Sequence, residues 1–117
     1  DQIDPGALTM PNELDPVTAL EHLAAGALLV DVREPDEVAF ASYDVANIAL
    51  VPLSDFAATS HTLPKDRELI MACRSGGRSA RAMQFLLDSG YEQVVNLNGG
   101  ILRWQAEGHP TKGGRVS

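Results

Sequence analysis

Residues 68–87, Glu68 to Leu87, read ELIMACRSGGRSARAMQFLL and contain the only cysteine of the chain, Cys73. The opening run, ELIMAC over 68–73, is apolar and too short for a stable helix, which predicts a strand buried on both faces. The closing run, SARAMQFLLDSG over 79–90, places Ala82, Met83, Leu86 and Leu87 at helical spacing. Ser79 is a candidate cap for that helix and Gly90 its stop. Between them, two adjacent glycines permit positive φ and close backbone approach. Successive N–H groups in such a turn form an anion-binding concavity, and the following helix adds its own unpaired N–H groups. Arg74 and Arg78 bring planar cations suited to oxyanions. A thiol at the base of this cradle is expected to ionise more easily than a free cysteine of pKa ~8.5.

Outward from this stretch the chain keeps a strand–helix rhythm. Asp15 before Pro16 is a helix start, with Val17, Leu20, Leu23 and Ala24 expected on one face and Gly26 as the stop. ALLVDV (27–32) and QVVNL (93–97) read as strands, as does NIALVPL (47–53). PDEVAFA suggests a short helix, SDFAATSHTL a short helix or an irregular connection, and ILRWQAEG a last helix after an NGG turn. Alternating strands and helices imply a mostly parallel sheet with helices on both faces. Ligands on such sheets bind beyond the carboxyl ends of strands, where Cys73 falls.

The 117 residues are one domain's worth of chain, and 44% apolar residues suffice for a core without disulfide or metal staples. A formal charge of −7 argues against nucleic-acid and anionic-membrane partners, so arginines clustered at the cysteine run against the global balance. No apolar run approaches the ~20 residues that span a bilayer. No signal-peptide pattern is visible, and the expected location is cytoplasmic. The chain starts at Asp1, which suits either a removed leader or a domain of a longer protein. Residues 1–13 read as an arm or linker, 14–110 as the domain and 111–117 as a flexible tail. His22, His61 and His109 are scattered and form no zinc spacing. Asp31 and Arg33 are expected to tie loops together. Trp104 with Ile101 is expected in the core, and Asp36 with Glu37 on a solvated face.

CRSGGRSA resembles the active-site loop of rhodanese-type sulfurtransferases, in which a cysteine opens a Cys-Arg-x-Gly-x-Arg ring. LLVDVREPDE, VPLSDF and VVNLNGGILRWQAEG are similar to further segments of that family, in the family's order, over most of residues 14–108. The resemblance implies a three-layer α/β domain with a central, mostly parallel sheet of about five strands. It also implies that Cys73 is the nucleophile, carrying a sulfane sulfur as a persulfide. The N–H groups of Arg74, Ser75, Gly76, Gly77, Arg78 and Ser79 would cradle the outer sulfur, and the two arginines would favour anionic donors such as thiosulfate. The implied acceptor is cyanide or a protein or small-molecule thiol, a sulfur-carrier protein among them. No cofactor or metal is implied. In place of the Gly-His-Ile-x-Gly-Ala segment of many members stands YDVANIAL over 43–50. That variant looks more like domains fused behind ubiquitin-activating-like adenylyltransferases.

Two other readings share the fold. Cdc25-like phosphatases and arsenate reductases place five residues between cysteine and arginine, whereas Cys73 and Arg78 enclose four, a smaller ring suited to one sulfur atom. Ala72 also stands where those phosphatases carry a histidine. Non-catalytic binding modules of the fold typically lose the cysteine or the loop glycines, and both are kept here.

Overall fold

A computed structural model describes residues 12–117, so residues 1–11 of the arm expected over 1–13 lie outside the described residues. In chain order the elements are β1 (Glu13–Leu14), α1 (Pro16–Ala24), β2 (Leu28–Asp31), α2 (Pro35–Phe40), β3 (Ala41–Tyr43) and β4 (Ile48–Leu50). There follow α3 (Phe56–Thr59), set between two single 3-10 turns, β5 (Leu69–Ala72), α4 (Gly77–Asp88), β6 (Val94–Leu97), α5 (Gly100–Ala106) and β7 (Thr111–Gly113). Five strands form a parallel sheet in the order β1-β6-β5-β2-β4. The arm expectation ends early, because Glu13 and Leu14 already pair with Asn96 and Leu97.

Strand β5 sits at the centre, and all four of its residues are fully buried. Alternation along a strand sends Leu69, Met71 and Cys73 to one face and Ile70 and Ala72 to the other. The first face packs under α4 with Ala82, Met83, Leu86 and Phe56 of α3. The second packs against α1 and α5 through Ala19, Leu23, Ile101 and Trp104. This is the α/β sandwich of three layers expected from the sequence.

Helix α1 starts where Asp15 and Pro16 place it, with the Thr18 N–H donating to Asp15 Oδ1 at 3.1 Å. Its buried stripe is Pro16, Ala19 and Leu23, and Val17 is 51% exposed, contrary to expectation. The stripe begins one residue earlier because the i, i+3, i+7 spacing from Pro16 is the one that meets the sheet. Strand β4 stops at Leu50, short of the expected 53, because Pro52 has no N–H to give and a 3-10 turn begins at Leu53.

The expected flexible tail is instead built into the fold. Thr111–Gly113 pairs antiparallel with Ala41–Tyr43. Gln105 then takes both sides of the next backbone stretch: its Nε2 donates to Gly114 O at 2.9 Å, and its Oε1 accepts from the Val116 N–H at 2.8 Å. Trp104 is fully buried, as expected, and donates from Nε1 to Pro110 O at 2.8 Å. Among the described residues, no helix is long and apolar enough to cross a membrane.

Asp31 and Arg33 perform the tying role expected of them, from deep inside the protein. Arg33 Nε donates to Asp31 Oδ1 at 3.0 Å and Nη2 to Oδ2 at 2.8 Å, with both residues no more than 2% exposed. The guanidinium also stacks over the Tyr43 ring, 5.4 Å from its centroid. A buried pair contributes little net stability, but removal of one partner strands a charge in the interior. We expect Asp31→Ala to lower unfolding stability by about 3–5 kcal/mol, read as a drop in the urea midpoint. A midpoint within error of wild type would mean that water reaches Arg33.

Candidate active site at the end of strand β5

The loop that follows β5 wraps its N–H groups around the thiol. Cys73 is 1% exposed. The Gly76 N–H donates to Sγ at 3.0 Å, and Ser79 Oγ lies 3.3 Å from the same sulfur. Gly76 has φ +110°, a left-handed conformation that a residue with a Cβ resists, and it serves as the N-cap of α4. The helix therefore opens at Gly77, two residues before the expected start. Ser79 does not cap it: Ser79 lies inside the first turn, fully buried, with its hydroxyl on Cys73. The early opening brings the positive end of a 12-residue helix against the sulfur.

Burial pushes the Cys73 thiol up, yet the opposing contacts win and hold it below its ordinary value. Those contacts are hydrogen bonds from the Ser79 hydroxyl and from the N–H groups of Ser79, Gly76 and Ser75. Of the two arginines expected to add to this, Arg78 couples electrostatically to Cys73, while its side chain and that of Arg74 make their hydrogen bonds elsewhere. Arg78 forks onto Glu37, Nη1 to Oε1 and Nη2 to Oε2, each at 2.7 Å. The fork pulls the Glu37 carboxyl down to about 2, so the pair stays ionised throughout the working range. Glu37 thus leaves the solvated face expected for it, whereas its neighbour Asp36 stays exposed. Arg74 reaches the carbonyl oxygen of Ser117 through Nη2.

What aims the N–H groups inward is the capture of the loop's carbonyls outside. Cys73 O accepts from Tyr43 Oη at 2.7 Å and from the Ile101 N–H at 3.0 Å. Arg74 O accepts from the Leu102 N–H at 3.1 Å, and Gly76 O from Asn96 Nδ2 at 3.0 Å. In a trans peptide the N–H points opposite to the C=O. Each captured carbonyl therefore turns the next N–H away from its anchor, and of these the Ser75 N–H is among the contacts that reach the sulfur. Burial raises the Tyr43 phenol well above its usual range, which keeps it a donor. Asn96 is steadied in turn by Glu13, its Nδ2 donating to Oε2 at 2.7 Å.

Gly100 makes this contact possible. A Cβ there would sit 2.4 Å from Arg74 O and 2.6 Å from Cys73 O, inside any allowed contact. The NGG segment, legible in the sequence only as a turn, is thus the seat of the Cys73 loop. Tyr43, Asn96 and Glu37 carried no sequence signal, because each acts across 20 to 41 residues of chain. The histidines stay apart from the site: His22 contacts Glu68 Oε1 at 2.6 Å, and His109 packs on the Trp104 ring.

Two outcomes follow from this geometry. The rate of Cys73 alkylation against pH should inflect below the value of an ordinary thiol, and Ser79→Ala should move the inflection upward because it removes a contact made to the thiolate. An unmoved inflection would mean that the hydroxyl serves only packing. Tyr43→Phe should cost about 0.5–1.5 kcal/mol of stability by removing one of the two hydrogen bonds to the Cys73 carbonyl, and should slow alkylation without altering the overall fold by circular dichroism.

The comparisons with known proteins agree with this geometry. The family model for the rhodanese-like domain matches residues 15–107. The chain is 37% identical over 103 residues to a sulfurtransferase of Allochromatium vinosum, an alignment covering 86% of this chain and 94% of that protein. It is 33% identical over 82 residues to a probable adenylyltransferase/sulfurtransferase, MoeZ, of Mycobacterium tuberculosis, covering 70% of this chain and 21% of that longer one. A rhodanese-related protein of Thermoplasma volcanium superposes with a TM-score of 0.78 at 32% identity, covering 86% of this chain and 97% of that one. The fold, the loop and these likenesses together place the chain in the rhodanese-like domain family, whose members here include named sulfurtransferases.

Proposed function

We propose that the protein moves a sulfane sulfur from an anionic donor, thiosulfate being the simplest, through a Cys73 persulfide to a thiophilic acceptor. The observation that carries this reading is a buried sulfur that accepts hydrogen bonds from Gly76 N–H and Ser79 Oγ, in a loop whose carbonyls are held on the outside. Such a site stabilises a sulfur anion with fixed dipoles and needs no general base to make its nucleophile.

In the first half-reaction the Cys73 thiolate attacks the outer sulfur of the donor. The donor's S–S bond breaks and its electron pair leaves with sulfite, while Cys73 keeps the sulfur as a persulfide anion. The N–H groups of Arg74, Ser75, Gly76, Gly77, Arg78 and Ser79 cradle that outer sulfur. In the second half-reaction cyanide or a thiolate attacks it, and the thiolate of Cys73 departs. Each step exchanges one S–S bond for another bond to the same sulfur, so no external oxidant or reductant enters and no cofactor or metal is required. The ring of four residues between Cys73 and Arg78 suits a single sulfur better than a phosphoryl group. Physiological acceptors within this reading are small thiols or a sulfur-carrier protein.

Incubation with thiosulfate should add one sulfur to the intact mass, removable by a thiol reductant, and cyanide should then release thiocyanate. Cys73→Ser should keep the fold and lose both signals. Wild-type thiocyanate release from that variant would sink the proposal.

A further inference from the structure

The charge around the loop does not match the arginine-rich impression its sequence makes. A cavity of about 280 Å³ beside the loop is lined by Arg33, Asp36, Glu37, Phe40, Arg74 and Val116. Arg33 is committed to Asp31, with both side chains buried. Arg78 is committed to Glu37 through two contacts of 2.7 Å. Arg74 reaches the backbone of Ser117, and the exposed Asp36 adds a negative charge to the same cavity. The formal charges of these groups cancel. The rest of the lining is apolar, and Phe40 keeps 57% of its surface exposed.

A compact dianion such as thiosulfate gains most from uncompensated positive charge, whereas a singly charged donor with an organic group loses little in a neutral, partly apolar mouth. We propose that Glu37 is a specificity-determining residue: by occupying the Arg78 fork it makes the site favour singly charged organic sulfane donors, such as thiosulfonates or organic persulfides, over dianionic thiosulfate. The inference rests on the sulfur-transfer reading above.

The geometry supplies a clean substitution. Glu37 is also the N3 residue of the α2 capping box, accepting from the Glu34 N–H at 3.0 Å. Glutamine fills that role as well, so Glu37→Gln keeps the cap and one acceptor for Arg78 while removing the charge. Released charge on Arg78 would also favour the Cys73 thiolate, but that gain is common to every donor and cancels in a ratio.

The experiment compares kcat/KM for thiosulfate and for benzenethiosulfonate, which transfer sulfur by the same step with sulfite or sulfinate as leaving group. Cyanide is the acceptor, and persulfide on Cys73 is followed by intact mass. Wild type should favour benzenethiosulfonate, and Glu37→Gln should narrow the preference by roughly fivefold, through faster use of thiosulfate. A wild-type preference for thiosulfate, or a ratio that Glu37→Gln leaves unchanged or widens while the persulfide still forms, would overturn the inference alone. No persulfide with either donor would overturn the sulfur-transfer reading and this inference with it.

Discussion

The site depends on one constraint: a buried sulfur anion is tolerable only where peptide N–H groups face it. A peptide N–H faces inward most readily where the carbonyl of the same peptide finds a protein or water partner on the outside. Tyr43 Oη, the Ile101 and Leu102 N–H groups and the Asn96 amide supply those partners. Much of the remaining architecture serves to hold them. Trp104 packs edge-on against Tyr43 at 5.3 Å, and the buried Arg33 lies over the same ring. Strands β3 and β7 then fasten the Tyr43 backbone to the end of the chain's last helix and beyond. The N-terminal N–H groups of α5, which any helix leaves unpaired, find their partners in the loop.

Electrostatics divides between dipoles and ions in an instructive way. Fixed dipoles act on the sulfur at 3.0–3.3 Å, and they overcome burial in setting its protonation. Of the arginines, the more conspicuous feature of the loop, Arg78 is paired with the Glu37 carboxylate. The acidic balance of the chain is therefore felt at the site itself, through Glu37 and Asp36 on α2. Helix α2 and the loop line one cavity together, so its charge is a property of two segments and not of one.

Several elements followed from local pattern alone. Strand β5 is legible because its residues are apolar without interruption, and a strand buried on both faces has no other way to look. The start of α1 is legible because Asp15 and Pro16 act within one turn. The misses are equally physical. Val17 is as apolar as a core residue, and only the angle at which α1 meets the sheet turns it outward. Residues 111–117 look featureless, since their partners, β3 and Gln105, lie elsewhere in the chain.

By itself, then, the sequence determined that this chain is a parallel α/β domain with its cysteine in a glycine loop at the end of a central strand. Those properties reside in residues adjacent along the chain, where spacing and backbone freedom are visible directly. Tertiary structure alone decided that Ser79 serves the sulfur and not the helix end, that Gly100 is the seat of the loop, and that Arg78 is bound to Glu37. Each of these depends on a contact between segments brought together only by sheet order and helix packing. No local rule encodes such a contact.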